Sequence, residues 1–352
     1  MIRLGIVGCK YGRTVLLPAF RLDRRCEVVA LAGTDAARTA QLAREADIPK
    51  AFGDWTALVE DKTVDAVAIA TPPRQQPAIA VRTLQLGKPV FIEKPMAADL
   101  AGAAAMLREA GNVPTMMDFG FTEVTAWRKA KALIDEGAIG RLRHVAVNWN
   151  VENQSTRLRL NNWKTSARQG GGALGNLGSH SLHYLEWFCG RITSLSARLS
   201  GLPDDPAFET NVMLSLTFES GASGSYAMSC ASYLGSGHRL EFYGEDGTLV
   251  LNNPTSDYMR GFVVNHAKRP AQAFVPVPVE DDPVDQKFPA EARIAPVSRL
   301  VSRFIDAIEQ RHSAEPGLNA GHRVQFLLEA VRQAHASGCS IGIETADVGR
   351  RP

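Results

Sequence analysis

The first third of the chain alternates short apolar runs with stretches of helical character, and few folds accept that pattern. Strand-like runs fall at 3–7, 27–32, 65–70, 88–92 and 114–117. Between them the spacing predicts helices at 14–22, 36–46, 54–59, 77–86 and 100–110, the fourth closed by Gly87. Strands interleaved with helices of about ten residues build a parallel sheet covered on both faces. Right-handed crossovers then bring the helix N-termini to one rim of that sheet. Such a rim, rich in free backbone N–H groups, suits anionic phosphates.

Past residue 120 the pattern changes. A helix over 127–136 closes at Gly137-Ala138-Ile139-Gly140. Strand-type runs follow at 142–150, 195–199, 212–218, 224–229, 239–243 and 248–251, several joined by Gly-containing turns. That spacing predicts a mostly antiparallel sheet. Residues 276–296 are acidic and Pro-rich and read as a loop, with helices after it at 297–310 and 321–336. A chain of 352 residues exceeds one ordinary core. The expectation is an α/β protein of two domains: a doubly wound parallel sheet over 1–120 that binds a dinucleotide, and an α+β domain over 121–352.

Composition narrows the function. The formal charge is only +2, with no block of like charges, so nothing supports nucleic-acid or membrane-surface binding. No run reaches the roughly 18 apolar residues that a bilayer span needs. The N-terminal residues are strand from the start and show no signal-peptide pattern, so a cytoplasmic location is expected. Cys9, Cys26, Cys189, Cys230 and Cys339 are odd in number and lack metal-ligand spacing, which fits free thiols in a reducing compartment.

Three stretches carry candidate chemistry. Gly8-Cys9-Lys10-Tyr11-Gly12 follows the first strand and partly matches a dinucleotide turn. Gly8 takes the first glycine place, Lys10 and Arg13 take the second and third, and Gly12 is displaced by one. At the end of the second strand Gly33 stands where an NAD site usually carries an acid. Losing that acid removes a repulsion against a 2′-phosphate, which Thr34 and Arg38 could bind, and so favours NADP. The alternative is that Asp35, two residues on, still reaches the ribose while Arg38 is a solvated helix charge. The third stretch, Val90-Phe91-Ile92-Glu93-Lys94-Pro95, is an apolar strand ending in a carboxylate and an ammonium. Ligands of open parallel sheets bind just past such strand ends, and a lysine there can donate a proton. A surface Glu-Lys pair of little energetic weight is the bland alternative.

A further cluster lies in the second domain. Gly170-Gly171-Gly172 leads through Asn176 to His180 and His183, spaced four and three apart. That spacing puts the three on one face if the helix starts early enough. Imidazole titrates near neutral pH and suits proton transfer. Two histidines could also hold a metal, but no carboxylate or cysteine completes the set, so no metal is expected.

Taken together, the chain resembles the glucose–fructose oxidoreductase, inositol dehydrogenase and MocA (Gfo/Idh/MocA) family almost end to end. The resemblance rests on the N-terminal strand and turn, Ala70-Thr71-Pro72-Pro73, Gly87 through Pro95, Gly137-Ala138-Ile139-Gly140, Trp163-Lys164, the 170–183 block, and Tyr243-Gly244-Glu245-Asp246-Gly247-Thr248-Leu249. It implies a Rossmann domain followed by a domain with a large open sheet whose outer face makes a homodimer or homotetramer. It also implies reversible hydride transfer between NAD or NADP and an alcohol carbon of a sugar-like substrate. Lys94 and His180 correspond to the family's catalytic residues. The expected dinucleotide contacts are Gly8, Cys9, Lys10, Tyr11, Gly12, Thr34, Arg38, Thr71, Pro72, Gln76, Glu93, Lys94 and Trp163. The expected substrate contacts are Lys94, Asn176, His180 and His183. Gln76 stands where a His is common, and Glu123 where members often carry a basic or neutral residue. Many members have Asp-x-x-x-His-x-x-Asp; here Asn176 and His183 take the acid positions, and Asn cannot take a proton. Two other functions fit the same frame: an NAD-dependent glycoside hydrolase and a non-catalytic dinucleotide sensor.

Overall fold

The computed structural model describes residues 1–202, 205–255 and 257–343. It divides into two units, one of Met1–Gly120 with Pro283–Gln325, the other of Phe121–Asp282 with Phe326–Pro352.

The first unit holds six strands: β1 (Ile2–Val7), β2 (Cys26–Ala32), β3 (Lys50–Phe52), β4 (Ala66–Ile69), β5 (Val90–Glu93) and β6 (Thr115–Asp118). Their order is β3-β2-β1-β4-β5-β6, and every neighbouring pair is parallel. The chain winds outward one way from β1 to β3 and the other way from β4 to β6. This leaves a topological switch point between β1 and β4, the place where such sheets bind ligands. β4 is buried along its whole length, as the apolar run Ala66-Val67-Ala68-Ile69 requires of a strand covered on both faces.

The segment read as an acidic loop contributes to this unit. Residues Pro283–Lys287 form a short helix, and Ile294–Gln310 a long one. The long helix places Leu300, Val301, Phe304 and Ile305 into the core on one face. Each such side chain contributes about 1.5–3 kcal/mol by burial. Phe304 closes an edge-to-face triad with Phe20 and Phe91, at centroid distances of 6.5 and 5.8 Å. Farther on, the Met117 N–H donates to the Pro316 carbonyl at 2.7 Å, tying the turn after that helix to β6.

The second unit carries β7 (Leu142–Asn150), β8 (Ile192–Leu202), β9 (Asp205–Phe218), β10 (Ser223–Ser229), β11 (Gly237–Gly244), β12 (Gly247–Asn253), β13 (Val263–Lys268), β14 (Val275–Val277) and β15 (Ile341–Gly342). They form one sheet in the order β14-β13-β12-β11-β7-β10-β9-β8-β15. Only β7 and β10 are parallel; the other neighbours run antiparallel. β10 alternates buried residues with exposed or half-buried ones from Ser223 to Met228, as expected of a sheet packed on one face only. Beneath it Trp149 stacks on His238 at 4.3 Å, surrounded by Phe121, Trp127 and Tyr184.

Candidate active site

The sequence places its first candidates at the carboxyl ends of β1, β2, β4 and β5, and the fold collects those ends on one rim of the first unit. Gly8 ends β1 at φ +118°, a conformation that disfavours any other residue. A β-carbon there would sit 2.3 Å from the Ala70 carbonyl oxygen, so β1 and β4 come together only through a glycine. Lys10 is exposed, and its carbonyl accepts from the Arg13 and Thr14 N–H groups as the chain turns into helix. Gly12 opens that helix, and a β-carbon on it would strike Ile6 at 2.7 Å. The close packing of helix on sheet that a dinucleotide fingerprint assigns to its last glycine is therefore done by Gly12, one place early, which releases Arg13 from that duty.

At the end of β2 the absence of an acid has a steric cause. A β-carbon on Gly33 would lie 2.6 Å from both Cys9 Sγ and Thr39 Oγ1. Thr34 and Arg38 are exposed beside it. Asp35 caps the helix Ala36–Glu45, its carboxylate accepting from the Arg38 N–H at 2.9 Å. After β4, Thr71 carries a buried hydroxyl with no hydrogen-bond partner, and Pro72 is half-buried. Gln76 is fully buried and donates from Nε2 to the Pro95 carbonyl at 2.7 Å. It thereby braces the turn that follows Lys94. A glycine cradle at the switch point and an unsatisfied hydroxyl on the same rim fit a bound dinucleotide.

Glu93 ends β5 and Lys94 follows it directly, both half-buried. Beside them lies Asp118, paired in register with Glu93. Reading the last strand as 114–117 stops one residue short of it. Its place on the rung next to Glu93 is set by the sheet register, which the sequence alone does not give. Asp118 is 2% exposed and accepts from the Tyr11 hydroxyl at 2.9 Å. Burial first, and Glu93 second, push its carboxyl well above the usual carboxylate range.

The remaining candidates belong to the second unit. The glycine run folds tightly on itself: a β-carbon on Gly171 would lie 1.8 Å from the Trp163 carbonyl, and one on Gly175 2.1 Å from that of Gly170. Residues Leu174–Gly178 make a π-helical turn that runs straight into the helix Ser179–Cys189. The helix does start early enough to hold Asn176, His180 and His183 on one continuous element. Asn176 and His180 are buried, and His183 is half-buried. His180 packs edge-on against Phe121 at 4.9 Å. Desolvation pulls the His183 pKa down to about 3, which keeps it a neutral hydrogen-bonding group at physiological pH. Trp163 opens a short turn capped by Asn162, and Glu123 is buried. Among the described residues no group of three or more His, Cys, Asp or Glu stands at metal-binding geometry, and the five cysteines are free thiols. No helix among them is long and apolar enough to cross a membrane.

A doubly wound sheet with a glycine turn at its switch point and an unsatisfied hydroxyl on the same rim has the architecture of a dinucleotide-binding domain. Residues 2–120 match the family model "Oxidoreductase family, NAD-binding Rossmann fold", and residues 127–250 match "GFO/IDH/MocA C-terminal domain". An uncharacterised oxidoreductase of Synechocystis sp., sll0816, is 30% identical, with 95% of this chain and 94% of that protein aligned. A trans-1,2-dihydrobenzene-1,2-diol dehydrogenase of Bos taurus is 28% identical over 72% of this chain and 75% of its own. Among solved structures, levoglucosan dehydrogenase in complex with NADH superposes with a TM-score of 0.85 at 20% identity, covering 98% of this chain and 100% of that one. The chain belongs to the Gfo/Idh/MocA family and is an NAD-binding oxidoreductase of that family.

Proposed function

We propose that the protein catalyses reversible oxidation of an alcohol carbon on a sugar-like or cyclic diol substrate, with NADP favoured over NAD. A bound nicotinamide dinucleotide supplies the hydride donor or acceptor. Lys94 carries the reading: an ammonium at the carboxyl end of β5, braced through Gln76 and Pro95, is suited to hold and release the proton of the reacting oxygen. His180 is the second proton-handling group. Asn176 and the neutral His183 orient substrate hydroxyls and do not act as bases. Trp163 adds a cofactor contact. The relatives named for a diol and for levoglucosan support a small hydroxylated ring as substrate. Gly33, enclosed by Cys9 and Thr39, leaves no room for a ribose-binding acid, and the exposed Thr34 and Arg38 are available to a 2′-phosphate. In this reading the first unit binds the dinucleotide, and the second binds substrate and assembles copies through the open face of its sheet, where Met213 is 59% exposed and Val263 51%. A cytoplasmic enzyme with free thiols completes it.

The test is identification of the co-purified dinucleotide by mass spectrometry, followed by a panel of sugars, polyols and nucleotide sugars assayed with that cofactor. Lys94→Ala should lower turnover by about 10²–10⁴-fold with dinucleotide affinity largely kept. Undiminished turnover removes Lys94 from the chemistry. Turnover without net change in reduced cofactor would point to a redox-neutral hydrolase.

A further inference from the structure

We propose that Asp118 is a positioning residue for the reaction: it holds Tyr11 of the dinucleotide turn against the lysine-bearing rim and sets the proton affinity of Lys94. The inference rests on the reading of Lys94 as the proton carrier.

The argument starts from an acid in a costly place. Asp118 is the last residue of β6, wholly enclosed, and ionising a carboxyl there is opposed by desolvation. An amide of the same shape would avoid that cost. The acid is nevertheless surrounded by groups that respond to its charge. Tyr11 donates into Oδ2 at 2.9 Å from the turn between β1 and the first helix. Glu93, its register partner on β5, opposes its ionisation, while Lys94 on the same strand end and Arg293 favour it. Arg293 lies 5.1 Å over the Tyr11 ring and is itself held by Glu291 at 2.6 Å. Gly120, Pro296 and Val297 pack nearby at ordinary contact distances: a β-carbon on Gly120 would be 3.6 Å from Oδ1 and 3.9 Å from each of the other two.

These contacts give one group two neighbours of consequence. Through Tyr11 it fixes the turn whose backbone must meet the dinucleotide phosphates. Through space it adds or withdraws one negative charge beside Lys94. Its two protonation states therefore correspond to two proton affinities of the lysine, and any shift of the Tyr11 hydroxyl moves the balance between them.

The experiment is a pH titration of Lys94 by NMR, using reductively ¹³C-methylated protein and assigning the signal by its loss in Lys94→Arg. Asp118→Asn should lower the proton affinity of Lys94 by about tenfold, as removal of a nearby opposite charge requires. Tyr11→Phe removes the hydrogen bond that favours the ionised acid. It should move the lysine titration in the same direction by a smaller amount and weaken NADH binding, read by fluorescence titration. A purely structural Asp118 would lower thermal stability and leave the lysine titration in place. Unchanged titration in both variants overturns the proposal, and if Asp118→Asn does not fold, Tyr11→Phe decides alone. Retained turnover in Lys94→Ala, with the titration shifted in Asp118→Asn, would reject the catalytic role of the lysine and leave the electrostatic link standing.

Discussion

Gly8→Ala tests whether the β1 turn is as tightly determined as its geometry states. The new methyl would meet the Ala70 carbonyl oxygen at 2.3 Å and its carbon at 2.8 Å, where an ordinary carbon–oxygen contact is about 3.3 Å. The overlap is thus roughly 1 Å against backbone that cannot rotate away. Ala70 N–H is held by the Val7 carbonyl at 2.8 Å, and Gly8 N–H by Ala32 at 2.9 Å. Overpacking of this kind costs about 1–3 kcal/mol, and a side chain at φ +118° adds about 1–3 kcal/mol of strain. The sum, about 2–6 kcal/mol, is relieved only by moving the turn and with it the phosphate cradle. Gly87→Ala is the matched control, since Gly87 also has positive φ, at +69°, but a β-carbon there meets nothing within 4 Å. It should cost about 1 kcal/mol and leave the turn alone. Urea denaturation gives the stability difference, and NADH fluorescence titration gives the affinity. Gly8→Ala should lose at least about tenfold in NADH affinity, equivalent to about 1.4 kcal/mol, while Gly87→Ala keeps it. If the two variants are indistinguishable in both assays, the close approach of β1 and β4 is not what shapes the cradle.

The raised Asp118 pKa makes a prediction about stability. A carboxyl whose folded-state pKa lies above its unfolded value stabilises the fold most at low pH and loses that contribution as pH rises through the folded value. Between the two, stability falls as pH rises, so on going from about pH 5 to pH 7 denaturation should show the wild type losing stability relative to Asp118→Asn; parallel curves would reject it. Thiol titration in the native state should find Cys339 reacting fast, since it is exposed, while burial pushes Cys26 up to about 12 and Cys189 higher still, and both should stay silent until denaturant is added. Arg38→Ala should weaken NADPH by about tenfold and NADH little; equal losses would return Arg38 to the role of a solvated helix charge.

Periodicity and punctuation made the central strands and the long helices legible. β4, β5 and β7 announce themselves by apolar or alternating runs, and the helices Ala36–Glu45 and Leu100–Ala110 by their helical spacing between strands; the Asp that caps each start is seen only in the structure. Three of the edge strands escaped that reading, as did β13 inside the second sheet. β3 is three residues and β15 two, too short for any period to show, and β14 is Val-Pro-Val, where a proline argues against a strand except at an edge. The helix Pro283–Lys287 hides among prolines and acids. At the site, Lys94 and the turn at Gly8 were visible because backbone rules single out glycine and strand ends. Asp118 was not, because its importance lies in an enclosure by Tyr11, Glu93 and Arg293 that joins segments far apart along the chain. The steric reason for Gly33 was likewise invisible, since Cys9 and Thr39 meet there only in three dimensions.

The return of Pro283–Gln325 to the first unit has a consequence for how the protein comes into being. A nascent chain that has emerged only through Gly120 holds all six strands of the nucleotide sheet, yet the Phe20 and Phe91 rings still await Phe304. At synthesis rates of about 5–20 residues per second, the ribosome must run for roughly ten seconds or more before that ring arrives. Through that interval the half most suited to early folding keeps open the apolar face that Phe304 later covers, and a chain ended before Ile294 lacks the returning segments of both units.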